Sequence, residues 1–381
     1  MRRRISVTAL LIGAAVMISA CGGGSSTGSS NNSPIKVASI YPFTGPEAQY
    51  GLYDDWGWQL AEQQFGSTVN GHPIQRLKFD DKCVASDAVN AVRQVIGSGA
   101  IVVDGPACSG NITATQLTLE AAKLPVVTLA FTPYITQHGD HYLWQISPND
   151  ALLNGAMAQY MAEQSVKSVG IAYDSLGYGQ EQAQTITAAL QFQGITPKIS
   201  LSYQDGAADF SGEISRFITA GVDSVYVGGY DGDVGHFEQQ AKQLGLNVKF
   251  FTPDTGGTSD FLQAAGDAAI GSSFSTPFIS SRPQFAAFVS KWQSMFGKPP
   301  TDVAIEAYLS AATIIKALQA AGSNPTAESV NNALKGISVK IAPFGTVAFT
   351  DTGAQKCPSL LIGTWTNAQA PTLVKDLTVT C

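Results

Sequence analysis

The sequence predicts an α/β fold made of two doubly wound α/β lobes joined by a three-crossover hinge. Short apolar runs alternate with segments of helical period from residue 35 to residue 252, and such alternation builds a parallel sheet with helices on both faces. The alternation restarts near residues 147–150, which indicates a second unit. After residue 282 the chain becomes helical and then returns to β character, so we expect it to cross between the lobes near residues 148, 278 and 343.

In the first unit, apolar runs bounded by turn residues predict five strands, at 35–41, 74–79, 101–103, 125–129 and 142–146. A turn-rich loop, 42–51, leads into a helix that we expect to bury Leu52, Trp56 and Leu60 on one face. The next helix carries an apolar stripe: Ala88, Ala91, Val92, Val95 and Ile96. A third helix is predicted to begin near Ser109.

The second unit continues the alternation, with strands predicted at 168–173, 198–203, 224–228 and 248–252 and helices at 152–164, up to 192, 211–220 and 234–244. Three later helices, 283–296, 302–321 and 327–334, have no strand partners of their own, so we expect them to cover a sheet made earlier. The predicted lobes are 34–148 plus 279–343 for lobe 1, and 149–278 plus 344–381 for lobe 2.

The first twenty residues have the pattern of a secretory signal peptide. Arg2, Arg3 and Arg4 precede an apolar stretch, 7–18, which is shorter than the ~20 residues that span a bilayer. Residues 18–21, Ile-Ser-Ala-Cys, resemble the lipobox of bacterial lipoproteins, which implies a lipid on Cys21. Residues 21–33 form a lipidated, flexible tether. The alternative is an ordinary cleaved signal with a chance cysteine.

These features predict an exported protein that is anchored to the outer face of the cell membrane by the lipid on Cys21 alone. No other segment is expected to be long and apolar enough to cross a membrane. The formal net charge of the whole chain is −7, and removal of the three arginines would change it by three units to −10. An acidic chain without a basic run is a poor nucleic-acid binder, so no nucleic-acid partner is expected.

Catalysis, metal ions and cofactors are not predicted. His138 and His141 lie three residues apart, but no Glu or Cys stands at metal-ligand spacing from them. Gly229, Gly232 and Gly235 lack the dinucleotide-binding fingerprint, and the sequence contains no nucleophile elbow and no phosphate-binding loop. The chain is therefore expected not to be an enzyme.

The five cysteines fit an exported chain. With Cys21 carrying lipid, four remain. Cys83 and Cys108 each follow a predicted strand at the same sheet edge, while Cys357 and Cys381 bracket the carboxyl-terminal segment. We predict the disulfides Cys83–Cys108 and Cys357–Cys381, each contributing roughly 3–4 kcal/mol in the chain-entropy model.

A candidate binding site follows from residues 101–132. The strands predicted at 101–103 and 125–129 are parallel neighbours, and small ligands bind at the carboxyl edge of such sheets. A helix beginning near Ser109 would direct free N–H groups and a partial positive charge at this edge. With hydroxyls from Ser109 and Thr132, the edge is suited to a small carboxylate. The alternative is that Ser109 only caps a helix and Thr132 only ends a strand.

Several segments, in their order and spacing, resemble the periplasmic branched-chain amino-acid binding proteins, the substrate-binding components of ABC importers. They are IKVASIYPFTGPEAQYG (35–51), FDDKC (79–83), ACSGN (107–111), LAFT (129–132), YGQE (178–181), SVYVGGYDGDVG (224–235) and PFGTVAFTDTGAQ (343–355). The resemblance covers essentially all of 35–355. It implies a type I periplasmic binding protein-like fold and a monomer that works with ABC permease subunits.

The resemblance also implies roles for individual residues. Ser109 would hold a ligand carboxylate with Thr132 beside it, and the Ala130 carbonyl and Thr132 hydroxyl would accept from an ammonium. The family usually places an acidic residue after the fourth strand of lobe 2, and in this sequence that residue is Asp254. Its side chain is shorter than the glutamate of branched-chain amino-acid binders. The whole implied ligand-binding set is Tyr50, Ser109, Ala130, Phe131, Thr132, Tyr178, Tyr230 and Asp254. The alternatives are loop packing for the tyrosines and helix capping for Asp254.

Together these observations predict an extracytoplasmic solute-binding lipoprotein. It would capture an amino acid, branched-chain or otherwise aliphatic, in the cleft between the lobes and deliver it to an ABC importer. Two alternatives stay open: a binding protein for amides, urea or aromatic acids, and the ligand-sensing component of a signalling complex.

Overall fold

The computed structural model describes residues 33–137, 139 and 141–378. The predicted signal peptide, the lipidation of Cys21 and residues 22–32 of the tether lie outside this range, as do His138 and Cys381. All of these assignments stay predictions.

The first lobe is built on a six-stranded sheet. Its elements are β1 (Ile35–Tyr41), α1 (Ala48–Phe65), β2 (Thr68–Val69), β3 (His72–Asp80), α2 (Ala85–Ser98), β4 (Val102–Asp104), α3 (Ser109–Ala121), β5 (Val126–Thr128) and β6 (Leu143–Gln145). The strand order is β2-β3-β1-β4-β5-β6, and every pair is parallel except β2 with β3. All five predicted strands of this lobe are present.

The rest of the chain builds the second sheet with its helices and also supplies a helix that packs on the first lobe. Its elements are α4 (Asp150–Glu163), β7 (Val169–Asp174), α5 (Gly177–Phe192), β8 (Ile199–Tyr203), α6 (Ser211–Ala220), β9 (Ser224–Gly228), α7 (Asp231–Gln243), β10 (Lys249–Thr252), α8 (Ser259–Ala265), β11 (Ser273–Thr276), α9 (Ala286–Phe296), α10 (Asp302–Ala320), α11 (Ala327–Lys335), β12 (Ser338–Ile341), β13 (Gly345–Ala348), β14 (Leu361–Thr364) and β15 (Thr372–Asp376). The second sheet has the order β15-β14-β11-β10-β9-β7-β8. Its strands β7 to β11 are parallel to one another, while β14 is antiparallel to both β11 and β15.

Strand β1 shows why the first sheet is covered on both faces. Its side chains alternate between two clusters: Val37 and Tyr41 pack with α1 and α10, while Ala38 and Ile40 pack with α2 and α3. A strand buried on both faces is a nearly continuous apolar run, as the sequence of β1 is. The predicted doubly wound α/β fold class is confirmed.

Helix α10 covers the first sheet, as expected of a helix without strand partners. It packs along α1, and a Cβ added at Gly57 would lie 2.7 Å from the Ala307 carbonyl carbon, so the close contact requires glycine there. With a mean hydropathy of 1.2, α10 is long and apolar enough to cross a membrane. The sequence analysis did not expect a second segment of this kind. Because 83% of its most apolar window is buried inside the protein, α10 is a core helix.

Two predicted helix faces were wrong in part. Leu52 of α1 is 43% exposed, and the buried face instead carries Tyr50, Tyr53 and Trp58. Ile96 of α2 is likewise exposed, although the other four residues of its stripe are buried. In α1 the buried face meets polar partners from distant elements, and hydrophobic periodicity cannot detect such partners.

Four strands and helices were not predicted: β2, α8, β11 and β12. Strands β12 and β13 form a two-stranded hairpin apart from both large sheets, and after it the chain returns to the second sheet at β14. The predicted lobe boundaries, including the one near residue 343, stay predictions.

The predicted disulfide Cys83–Cys108 is confirmed, with 5.6 Å between the two Cα atoms. It ties the loop after β3 to the loop after β4, both at the carboxyl edge of the first sheet. The predicted pairing of Cys357 with Cys381 cannot be followed within the described residues and stays a prediction.

Candidate functional site

The carboxyl edges of the two sheets meet at one small buried cavity. Its lining residues come from the ends of β4, β5, β7, β9 and β10 and from two helices, and they are Tyr50, Ala107, Ser109, Leu129, Phe131, Tyr178, Tyr230, Asp254, Thr255 and Val303. The cavity has a volume of about 20 Å³, room for roughly one water molecule. Six of the eight residues in the predicted ligand-binding set line it.

A larger groove of about 590 Å³ lies elsewhere, on the outer edge of the second lobe between α5 and the edge strand β8. It is open and lined mainly by serine, threonine, glutamine and alanine side chains. Ligand sites in open α/β sheets form outside the carboxyl ends of strands, where polar groups converge. The small interlobe cavity therefore fits a solute site better than the larger groove does.

Ser109 lies in the first turn of α3, and only 2% of its surface is exposed. The N-cap position of α3 belongs to Cys108, so Ser109 is not the cap residue. The amino end of α3 meets the amino end of α5 from the other lobe. A Cβ added at Gly177 would lie 2.6 Å from the Gly110 Cα, so only glycine allows this approach. Two helix amino termini thus bring free N–H groups beside the cavity.

Ala130 and Thr132 are buried just behind the cavity wall and do not line it. The Ala130 carbonyl accepts a hydrogen bond from Gln145 Nε2 at 2.8 Å. The Thr132 hydroxyl accepts from the Tyr134 backbone N–H at 3.3 Å. Burial raises the pKa of Glu181 to about 7, and hydrogen bonds from Thr132 and Thr113 partly offset that rise. In this arrangement both predicted residues support the wall.

Three buried tyrosines fill the space between the lobes. The ring centroids of Tyr178 and Tyr230 are 5.1 Å apart, and those of Tyr50 and Tyr230 are 5.8 Å apart. Tyr230 donates to the disulfide sulfur of Cys83 at 3.0 Å, a bond between the lobes. The tyrosines pack on one another as the loop-packing alternative requires, and they also line the cavity.

Asp254 is 1% exposed and accepts a hydrogen bond from the Tyr178 hydroxyl at 2.7 Å. It begins a short 3₁₀ helix, Asp254–Gly257, whose N-cap position belongs to Pro253, so Asp254 is not the cap. Burial raises the pKa of Asp254 to about 7, and the nearby Asp231 raises it further, while the Tyr178 hydrogen bond works against the rise.

Sequence reasoning missed several residues of the site. Ala107 and Leu129 stand inside segments that carried the resemblance, so their position was a usable signal. Val303 comes from α10 and gave no local signal. Asp231, directly after Tyr230, is 4% exposed and accepts from the Tyr50 hydroxyl at 2.8 Å. Burial, first of all, raises the pKa of Asp231 to about 6.

A sequence model of the periplasmic binding protein family matches residues 34–370. The chain belongs to this family. The periplasmic binding protein described here is 28% identical over 346 residues to the leucine-, isoleucine-, valine-, threonine- and alanine-binding protein of Pseudomonas aeruginosa, covering 90% of this chain and 92% of that one. The family is one of solute-binding proteins, so this periplasmic binding protein acts outside the cytoplasm and catalyses no reaction.

Two solved structures share the fold of this periplasmic binding protein. One is the branched-chain amino acid transporter substrate-binding protein LivJ from Streptococcus pneumoniae in complex with isoleucine, with a TM-score of 0.79 and 20% identity over 90% of this chain and 99% of that one. The other is an ABC transporter solute-binding protein from Rhodopseudomonas palustris in complex with 3,4-dihydroxybenzoic acid, with a TM-score of 0.82 and 21% identity over 91% and 97%. The shared fold alone does not choose between these ligand classes.

Proposed function

We propose that this protein is an extracytoplasmic solute-binding lipoprotein that captures an amino acid between its lobes and delivers it to an ABC importer. The observation that carries the proposal is the polarity of the cavity. Its lining combines Ser109, at the amino terminus of α3, with Asp254 and two tyrosines. An α-amino acid carries a carboxylate and an ammonium and matches this combination.

The carboxylate end is proposed to lie at Ser109. The Asn111 N–H donates to the Cys108 carbonyl at 3.0 Å, and the N–H groups of Ser109 and Gly110 precede this first bond of α3. The approach of α5 at Gly177 adds a second helix dipole. A hydrogen bond to a charged group contributes about 1.5–3 kcal/mol when both groups are buried. About 1.4 kcal/mol corresponds to a tenfold change in the dissociation constant. Loss of one such bond should therefore raise the dissociation constant ten- to hundredfold.

The ammonium end is proposed to lie at Asp254, Tyr178 and Tyr230. A carboxyl whose pKa is raised by burial gains most from an opposite charge beside it, because the charge restores its ionised form. The Tyr178 hydroxyl already occupies one oxygen of Asp254, and an ammonium could take that place. The name of the relative from Pseudomonas aeruginosa, a binder of five amino acids, supports this class of ligand.

Binding is proposed to require movement of the lobes. A cavity of about 20 Å³ is far smaller than an amino acid, so the ligand can only enter if the lobes separate and the tyrosines shift. Closure around the ligand then joins contacts from both lobes, which neither lobe makes alone. The lipid on Cys21 and the tether would keep the closed complex beside the importer.

The test is isothermal titration calorimetry with amino acids and with plain aromatic acids. We expect Ser109→Ala to weaken binding of an amino acid at least tenfold. Asp254→Asn should weaken binding of amino acids and leave plain aromatic acids unchanged, because only the former bring an ammonium. Exposed Ser86→Ala, in the first turn of α2, is the matched control. Unchanged affinity in Ser109→Ala would place the ligand elsewhere.

A further inference from the structure

We propose that Glu306 carries a proton while the lobes are closed, and that capture of the solute therefore takes up a proton from the solvent. Glu306 is a positioning residue, because it supports the wall of the interlobe cavity and does not itself line that cavity. The inference rests on the proposed function only in treating closure of the lobes as the act of capture.

Glu306 lies in α10 and lines a separate cavity of about 60 Å³, which we call the hinge cavity. Each of the three segments predicted to cross between the lobes contributes to its wall, and these lining residues are Ile146, Pro277, Phe278 and Phe344. Among the described residues that line the hinge cavity, Asp302 and Glu306 alone can titrate. Glu306 is only 4% exposed, so its carboxyl group is buried where the predicted crossovers meet.

The Ser147 hydroxyl, in the first predicted crossover, has one hydrogen and two oxygen neighbours. Its Oγ lies 2.6 Å from the Leu129 carbonyl oxygen and 2.7 Å from Glu306 Oε2. A carbonyl oxygen and an ionised carboxylate can only accept. Both contacts are hydrogen bonds at once only when Ser147 donates to Leu129 and a protonated Glu306 donates to Ser147. With Glu306 ionised, one of the two buried acceptors would face the hydroxyl oxygen with no hydrogen between them, which is unfavourable.

These hydrogen bonds end at the wall of the proposed ligand site. Leu129 lines the interlobe cavity, and so does Val303, which precedes Glu306 by one turn of α10. Ser147 stands between β6 of the first lobe and α4 of the second. Glu306 therefore connects the cavity wall to a segment that has to move when the lobes separate. Opening of the cleft brings water to this wall, so an ionised Glu306 is less costly in the open form than in the closed form.

The direction of the pH dependence follows from this difference. Burial, above all, raises the pKa of Glu306 well above its ordinary value, and the negative charges of Asp302, Asp254 and Asp150 raise it further. These acids belong to α10, to the segment after β10 and to the start of α4. None of the ion pairs in the described part of the chain includes Glu306. Affinity should be full below the pKa of Glu306 in the open form and should fall as the pH rises toward its pKa in the closed form.

Two substitutions separate this role from a purely structural one. Glu306→Gln imitates the protonated carboxyl, because an amide N–H can donate to Ser147 and does not titrate. Glu238 provides the matched control, since it is also fully buried, its pKa is also raised by burial, and it accepts from the Ser272 hydroxyl at 2.8 Å. That hydrogen bond joins α7 to the segment before β11, both in the second lobe, so Glu238→Gln should not affect capture.

The experiment is calorimetric titration of the full protein, Glu306→Gln and Glu238→Gln with L-leucine at pH 6 and pH 8. The dissociation constant of the unmodified protein, divided by that of Glu306→Gln, should rise at least fivefold from pH 6 to pH 8, because one linked proton changes affinity by up to about tenfold per pH unit. This ratio cancels the titration of Asp254, which both proteins retain. Glu238→Gln should follow the unmodified protein within twofold. A ratio that does not change with pH would overturn the inference and leave the proposed function standing.

A second readout is the proton itself. Titrations in phosphate and in Tris, two buffers with different heats of ionisation, should show that the unmodified protein takes up a proton on binding at pH 8 and that Glu306→Gln takes up less. Equal uptake in the two proteins would contradict the inference.

If L-leucine does not bind, the proposed function fails for this ligand, and small-angle scattering of the free protein then decides the inference. The radius of gyration of the unmodified protein should increase from pH 6 to pH 8, because ionisation of Glu306 favours the open form, while Glu306→Gln should keep its value. Identical scattering of the two proteins at both pH values would overturn the inference.

Discussion

An ion pair at the mouth of the cleft provides a test of lobe closure. Lys298 packs over the rings of Tyr53 and Trp56 of the first lobe, at 5.0 and 5.9 Å from the ring centroids. Its ammonium reaches Asp260 of α8, in the second lobe, at 3.0 Å, and the Tyr53 hydroxyl also donates to Asp260. Lys298→Met keeps most of the packing on the rings and removes the charge. The substitution therefore weakens the closed arrangement and leaves the first lobe intact.

The magnitude follows from the exposure of the pair. The side chains of Lys298 and Asp260 are 33% and 24% exposed, so solvent screens their attraction, and such pairs contribute up to about 1 kcal/mol. If the Lys298–Asp260 pair forms only when the lobes close, its whole stabilising free energy adds to the free energy of ligand binding. One kcal/mol corresponds to roughly a fivefold change in the dissociation constant. We expect Lys298→Met to weaken ligand binding by two- to fivefold at low salt, and by less at high salt because the Debye length shortens.

The assay is calorimetric titration of a bound ligand at about 10 mM and about 500 mM salt. A double-mutant cycle of Lys298→Met with Asp260→Asn should give a coupling energy of about 0.5–1 kcal/mol. The matched control is Lys375→Met, because Lys375 pairs with Glu163 and both lie in the second lobe. Additive effects in the cycle, or an equal loss of affinity in Lys375→Met, would refute the reasoning that the Lys298 pair favours closure.

The remaining predictions concern stability and are read by thermal or denaturant unfolding. The double substitution Cys83→Ser with Cys108→Ser should lower the free energy of unfolding by roughly 3 kcal/mol. Because this variant has no Cys83–Cys108 disulfide left, adding a reductant should not lower its stability further at this site. Gly57→Leu should lower the free energy of unfolding by about 3 kcal/mol or more, because a side chain there meets the backbone of α10. Gly97→Leu is the control and should cost less, because a Cβ at Gly97 meets nothing within 4 Å. Burial raises the pKa of Asp254 to about 7, so the folded form binds more protons than the unfolded form above pH 4. Stability of the free protein should therefore decrease as the pH rises from 4 through 7, and a smaller decrease is expected in Asp254→Asn. A pH profile that Asp254→Asn leaves unchanged would contradict this assignment.

Much of the fold could be predicted because local pattern and chain order decide it. The helix at 211–220 has the predicted bounds, and β1 has the predicted strand at 35–41. Cys83 and Cys108 could be paired because both follow strands of one parallel sheet, which places them at one edge. Six of eight ligand-set residues line the cavity for the same reason: each stands beyond the carboxyl end of a strand, either in the loop or in the first turn of the helix that follows.

Other features depended on contacts between distant parts of the chain. Helix α1 buries Tyr50 and leaves Leu52 exposed, because its buried face meets α10 and the second lobe. Strand β11 is a short run whose neighbours, β10 and β14, are separated by 108 residues of chain. Hydrophobic periodicity reports a face of one segment and carries no information on which distant segment covers it.

The sequence by itself determined the alternation of strands and helices, the two sheets and the edge at which a small molecule would bind. Only the tertiary structure decided that Tyr50 reaches Asp231 across the cleft, that Ala130 and Thr132 stand behind the wall, and that the cavity has a volume of only about 20 Å³. The physical reason is range. Backbone hydrogen bonding and apolar periodicity act over a few residues, whereas the contact of Tyr50 with Asp231 joins residues 181 positions apart.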